Sequence, residues 1–481
     1  MAQPSPLHIR IESSDFACGD ISVRRMVGRE AISELFTFDL DLAHADVHGL
    51  PPEAAPGAEV TLVLEHEDGE ERRRIHGIIG QIRDRLDASR EHRAYRMRVV
   101  PRAARLTLVQ TQEIFMDQSV PEIIKGKLEQ VGLSGDSLDM RLTGDYPARE
   151  FVVQYKESDL AFISRLAEHL GLSFFFEHAG SHDKIVFADN RSAYGRIEGD
   201  VIAYRGRGEA AGVFEIEIER ELLPRMYAMQ DYNYRHPLAD LWASHTLEAG
   251  TGGGVVEYGA HYKTRDEGAA LARVRAEERL AQDRIHEGKS DVPSVSAGVT
   301  AKLEGHPLID AIELLFVEVT HDLTIAEQGS GRAAYTNTFR AVPAENTYRS
   351  PRRTPRPKIA GFVTGIVQPR TGGARGSTPA LDEFGRYVVQ FHFDTAPGER
   401  AASRPVRMAQ PFMGPNHGMH FPLRPGAEVL IGFMDGDPDR PVILGAVPNA
   451  IAPSPVTSAS VTKNRISTAN GGILIELADG K

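Results

Sequence analysis

The chain has 481 residues and a formal net charge of −12, so it is too long for one typical domain and lacks the concentrated basic surface of a general nucleic-acid binder. A single cysteine, Cys18, excludes an intrachain disulfide framework and a cysteine metal cluster. No run of about 18 apolar residues is present, and residues 1–6 show no charged-then-apolar leader, so neither an integral membrane protein nor a cleaved secretion signal is expected.

Residues 7–11 alternate, and residues 35–42 alternate more strongly, with Phe36, Phe38, Leu40 and Leu42 on one side of a half-buried strand. Residues 60–64 and 74–79, separated by a turn at Asp68-Gly69, read as a hairpin, and residues 95–100 add a further strand. The first block, 1–100, is therefore an antiparallel β-barrel or sandwich.

The pattern changes in 101–211, which mixes α and β. Ser119 caps a helix with Ile123, Ile124, Leu128 and Val131 on one stripe and Gly132 as its stop. Ser158 opens a second helix, with Phe162, Ile163, Leu166 and Leu170 facing inward and Gly171 ending it. Residues 151–155 form a strand between the two helices, and 173–177 with 184–188 form a hairpin.

In 212–350 the chain returns to β. Phe214, Ile216 and Ile218 alternate with glutamates, and 312–320 continues the pattern. A long charged helix over 267–285 has Ala270, Val274, Glu277 and Ala281 as a weak stripe and is expected to lie partly exposed. Residues 348–357 are a basic, proline-rich connector, stiffened by fixed φ angles, and 351–380 carries it into the first strand of the next module, residues 361–368.

Residues 381–450 hold short strands divided by glycine and proline turns. Tyr387, Val389, Phe391 and Phe393 share the buried face of one strand, while Val429, Ile431 and Phe433 alternate in another. The apolar run 442–447 reads as a central strand, and the module fits a small OB-type barrel. In 451–481 a linker leads to short β rungs, including 466–468, 471–477 and Asp479-Gly480.

The search for chemistry assigns no catalytic, cofactor-binding or metal residue. His417 and His420 sit in a glycine-bearing loop with no neighbouring carboxylate, which favours loop structure over metal binding. The acidic turn with Asp435, Asp437 and Asp439 lacks EF-hand spacing and reads as a strand connection. Glycines 252–254 lack the lysine and hydroxyl of a phosphate-binding loop and read as a flexible loop. Glu383 and Glu428 each occupy a turn or a solvent-facing strand position rather than an acid–base pair. The basic stretch 349–358 lacks the interleaved aromatics of a nucleic-acid site and reads as a linker.

Several separated motifs together resemble the VgrG family, trimeric spikes of bacterial type VI secretion systems related to hub and spike proteins of contractile phage tails. They are residues 28–36, Ile75-His76-Gly77-Ile78-Ile79, Arg149 with 153–159 and Arg165-Leu166, Asp231-Tyr232-Asn233-Tyr234, and Gly305-His306-Pro307. The most specific are Asp382-Glu383-Phe384-Gly385-Arg386, Gln390-Phe391-His392, Gly436-Asp437-Pro438-Asp439-Arg440-Pro441 and Asn449. Phe393 and Phe412 depart from the family, which often has tryptophan there, and no lysozyme-like domain precedes the barrel.

The resemblance implies a mainly β multidomain chain with a mixed α/β insert. Residues 1–100 and 212–350 would be phage-hub-like β-barrel domains arranged in a pseudo-sixfold ring, 381–450 an OB-fold neck, and 451–481 the start of a truncated trimeric β-helix needle. It also implies a non-enzymatic homotrimer without cofactor or nucleic acid. The implied partners are a hexameric Hcp-like tube protein, a PAAR-like tip-capping protein, baseplate components and effectors, with transient contact to a target membrane. Assembly in the cytoplasm and export without a signal peptide follow from the same resemblance. The alternatives are a phage tail or extracellular injection system and, in a different class, a spike-borne cell-wall hydrolase or toxin.

Overall fold

The computed structural model describes residues 7–46, 49–51, 53–66, 68–85, 93–206, 210–325, 334–369, 381–395, 405–469 and 472–478. The expectations for residues 1–6, 370–380 and Asp479-Gly480 lie outside this set. The chain forms two compact units: Met1–Val109, Val120–Tyr146 and Asp159–Pro355 make the first, and Gln110–Ser119, Pro147–Ser158 and Arg356–Lys481 the second. The mixed block 101–211 is thus divided between both.

In the first unit, strands from residues 7–100 and from residues 195–343 share one 12-stranded sheet among the described residues. Six come from the first block, in the order Leu7–Glu12, Glu59–His66, Glu71–Arg85, Arg93–Val100, Thr37–His44 and Ile21–Ala31. The sheet continues through Ile312–Thr324, Ala334–Pro343, Arg284–Ser290 and Val213–Arg220. The join is the antiparallel pairing of Ile312–Thr324 with Ile21–Ala31, from Glu318 opposite Ala31 to Thr324 opposite Arg25. Phe36, Phe38, Leu40 and Leu42 are all buried in the core beneath the first block, as their alternation predicts. The expected hairpin is present as Glu59–His66 against Glu71–Arg85.

Three α-helices occur among the described residues: α1 (Val120–Gln130), α2 (Asp159–Leu170) and α3 (Arg265–Leu280). Ile123, Ile124 and Leu128 of α1 and Phe162, Ile163 and Leu166 of α2 are buried, matching the sequence stripes. Helix α3 differs. Its packed face is Gly268, Leu271, Ala272, Arg275 and Ala276, one position away from the weak stripe read in the sequence. An arginine on that face breaks the apolar periodicity that a sequence reading relies on. The side chain of Thr264 accepts a hydrogen bond from the Glu267 N–H and caps this helix.

Glycines 252–254 do not form a loop. They begin the strand Gly252–Tyr258, which pairs in parallel with Pro224–Gln230. Gly254 sits opposite Met226, and parallel pairing with a distant strand is a tertiary contact that a glycine run does not announce.

The second unit contains the OB-like sheet. Its strand order is Val389–Phe391, Val363–Val367, Glu428–Phe433, Pro441–Ala446 and Arg407–Met408. Tyr387 and Val406 exchange backbone hydrogen bonds of 2.9 and 2.7 Å, which brings the two end strands together as a partial barrel. Tyr387, Val389, Phe391, Val406, Val429, Ile431 and Ile443 fill the interior. The strand expected over 387–394 is regular only for Val389–Phe391, whereas the run expected to be central does pair on both sides. Gly365 allows a close approach of its neighbours: a Cβ there would stand 2.7 Å from Val389 Cγ1 and 2.8 Å from the Gln390 carbonyl oxygen.

The same unit recruits a ribbon from the middle of the chain. Gln110–Phe115 pairs antiparallel with Val152–Ser158, and Ile114 and Phe151 pack onto the barrel core. At the other end, Lys463–Ser467 and Leu474–Ala478, in the segment where short β rungs are expected, form an antiparallel two-stranded sheet.

Candidate functional site

The turn from Met434 to Pro441 is held by several contacts of the second unit. Asp435 and Gly436 both take left-handed backbone conformations, φ 56° and 75°, which reverse the chain within two residues. Asp437 is buried and pairs with Arg356 at 3.2 Å, while the Gly436 carbonyl accepts the Ile359 N–H at 2.8 Å. Asp439 accepts the Val153 N–H at 2.7 Å. Two motifs that lie far apart in the sequence therefore meet, the acidic turn latching the mid-chain ribbon. A second latch joins Gln112 and Thr395, whose N–H donates to the Gln112 carbonyl at 2.7 Å.

At the other end of the barrel sequence, the turn before Tyr387 is held by its own ion pair. Asp382 accepts the Arg386 N–H at 2.9 Å and the Arg386 Nε at 2.6 Å. Burial pushes the Asp382 carboxyl up, but these donors more than offset it, leaving it below the ordinary range. These turns orient backbone; neither gathers a nucleophile with a base.

The other sequence candidates are separate from one another. His417 is exposed and its Nδ1 lies 2.9 Å from the Pro415 carbonyl, whereas His420 lies 3.3 Å from the Tyr387 hydroxyl and 2.9 Å from Gln410 Nε2. Glu428 accepts Asn449 Nδ2 at 2.9 Å, and Glu383 is exposed in its turn. Arg349, Arg352, Arg353 and Arg356 of the basic connector all pair with carboxylates. Exposed apolar side chains collect in two places of this unit: Phe412, Met413 and Phe421 on one loop, and Ile473, Leu474, Ile475 and Leu477 on the terminal ribbon.

The first unit holds a buried polar joint that sequence periodicity gave no sign of. Arg73 reaches Glu30 at 2.5 Å, and His321 Nε2 lies 3.4 Å from the other oxygen of Glu30. His321 Nδ1 stands 2.8 Å from the Tyr335 hydroxyl, and its Nε2 also lies 3.4 Å from Arg73 Nη1. Burial would raise the Glu30 carboxyl, yet Arg73 and His321 hold it well below the ordinary range. Burial also lowers His321, and it pushes His178, whose Nδ1 accepts the His76 N–H at 3.1 Å, down to about 3.

Comparison with known proteins decides what this architecture is. Residues 29–328 match the family described as phage tail baseplate hub (GPD), and residues 378–447 match the type VI secretion system/phage-baseplate injector OB domain. The Pseudomonas aeruginosa type VI spike protein VgrG5 is 32% identical over 89% of this chain and 56% of its own length. The chain belongs to the VgrG spike family. VgrG1a of the same organism is 31% identical, over 89% of this chain and 67% of the relative. An E. coli type VI secretion component, described as similar in structure to the T4 phage tail proteins gp27 and gp5, superimposes with a TM-score of 0.67 at 25% identity, covering 91% of this chain and 99% of the other. The chain spans about half the length of the first curated VgrG relatives, 56% and 55%.

Proposed function

We propose that this chain is the hub and neck of a homotrimeric VgrG spike that docks on a hexameric Hcp-like tube and is driven through target membranes to deliver effectors. The action is mechanical, without a chemical step. The observation that carries the trimer is the terminal ribbon. Leu474 is 56% and Leu477 66% exposed on a two-stranded sheet, and such a sheet is at best marginally stable in water by itself. Its apolar side chains call for further copies of the same ribbon, which would wind it into a needle capped by a PAAR-like protein.

The hub reading adds two barrel domains per subunit in a pseudo-sixfold ring, the geometry that matches three chains to a hexameric tube. Family membership supports baseplate contacts, assembly in the cytoplasm and export through the contractile apparatus. Electron microscopy of the particle tests the proposal: a three-fold hub with a pseudo-sixfold base is expected. A monomer, by microscopy and light scattering, in protein carrying the complete needle would overturn it. A second reading, the hub of a phage tail or extracellular injection system, is favoured by the phage hub match over residues 29–328. Gene neighbourhood separates the two machines.

A further inference from the structure

We propose that residues 348–354 are a strap fixed to the first unit, through which load on the chain beyond Pro355 enters helices α2 and α3. The proposal rests on the mechanical reading above, although the docking of the strap is measurable by itself. A free proline-rich linker would leave its charges in water. Here Tyr348, Arg349 and Ser350 are buried, and the Ser350 hydroxyl lies 2.7 Å from that of Ser33 and 3.1 Å from that of Ser173.

Arg349 is the keystone. Its Nε meets Glu277 of α3 at 2.8 Å, and its Nη1 donates to the carbonyls of Gly171 and Asp189 at 2.8 and 2.9 Å. Gly171 follows the C-terminus of α2, where carbonyls lack intrahelical partners and the helix dipole is negative, so a guanidinium is matched to it in both charge and geometry. Arg275 supports the same helix end by donating to the His169 carbonyl at 3.0 Å. Gly171 has φ +72°, and a Cβ there would stand 2.6 Å from Val274 Cγ1 and 3.0 Å from Arg349 Cδ. Glycine thus allows both the helix stop and the approach of the strap.

The remaining strap residues continue the attachment. Arg352 pairs with Glu257 at 2.9 Å and Glu278 at 3.2 Å, and Arg353 pairs with Glu34. Thr354 donates from its N–H and its hydroxyl to the two oxygens of Glu168, at 2.9 and 2.7 Å. The partners come from α2, α3, the strand Gly252–Tyr258 and the first block, so moving the strap requires breaking contacts on each. Isolated surface pairs contribute little, but a coupled, partly buried network must open as one event.

Limited trypsin digestion of the full chain, with hydrogen exchange, tests this. Trypsin cuts extended chain after Arg349, Arg352 and Arg353, and all three bonds are expected to resist cleavage in the native protein. In the variant R352A/R353A, cleavage after Arg349 should be at least about tenfold faster, because proteolysis follows the population of the open form. Exchange across 348–354 should rise while Thr37–His44 stays protected, which separates undocking from unfolding. Gly171→Ala should give the same pattern from the α2 side. Native protein cut in the strap as fast as denatured chain, or R352A/R353A as resistant as the native sequence, would overturn the proposal. The oligomeric state is read separately by microscopy, so failure of the spike reading is distinguishable from failure of the strap.

Discussion

The two units solve the problem of a stable β core differently. The second unit fills its barrel with Tyr387, Val389, Phe391, Val429, Ile431 and Ile443 and places ion pairs in its turns and on its terminal ribbon. The first unit buries charge inside, with Glu30 and Arg73 at the joint and Arg102 beside Asp183. An apolar interior tolerates a change of proton concentration, whereas paired buried charges tie stability to it.

Acid should therefore separate the units most clearly. His178 and His321 have folded-state values below the ordinary histidine value, as does His286, which burial and Arg284 push down to about 4. Groups depressed in the folded state bind protons more readily when unfolded, so their stabilisation is complete above the unfolded value and is lost as pH falls. Hub stability should start to decline below about pH 6.5, the ordinary histidine value. Glu30, also depressed, adds to the loss below the ordinary glutamate range. The second unit, with Asp382 as its depressed partly buried carboxylate, should hold until about pH 4. Fluorescence of the single tryptophan, Trp242, reports the first unit, and hydrogen exchange in Glu428–Phe433 reports the second. Coincident transitions would break the contrast.

Two substitutions sharpen it further. Arg73→Ala leaves Glu30 buried without its cation and should destabilise the hub by about 3–5 kcal/mol, accompanied by a shifted acid transition. Phe391→Ala should cost the barrel about 3–5 kcal/mol through transfer and cavity terms, with no change in pH dependence. Denaturant unfolding at two pH values measures both. A smaller effect is expected for Asp439→Ala, which removes a charged acceptor from the Val153 N–H. Its cost should be about 1.5–3 kcal/mol, seen as faster exchange in Val152–Ser158.

Much of the fold was legible. The hairpin Ser173–Glu177 with Lys184–Ala188, the stripes of α1 and α2, and the buried faces of the barrel strands follow from side-chain periodicity, because burial on one face imposes a period of two or 3.6. The family was legible in the ordered motifs. The candidate site was less so: the motifs containing Val153 and Asp439 were both visible, but their contact was not.

The sequence by itself determined where α1, α2 and most strands of the first block run, which of their faces are apolar, and the VgrG kinship. Tertiary structure alone decided that residues 110–119 and 147–158 join the barrel unit, that glycines 252–254 pair as a strand, and that the basic connector is held by glutamates. The reason is physical. Periodicity records how a segment faces its nearest layer, whereas an ion pair or a strand pairing between distant segments leaves no local pattern, since either partner alone reads as an ordinary exposed charge or a flexible turn.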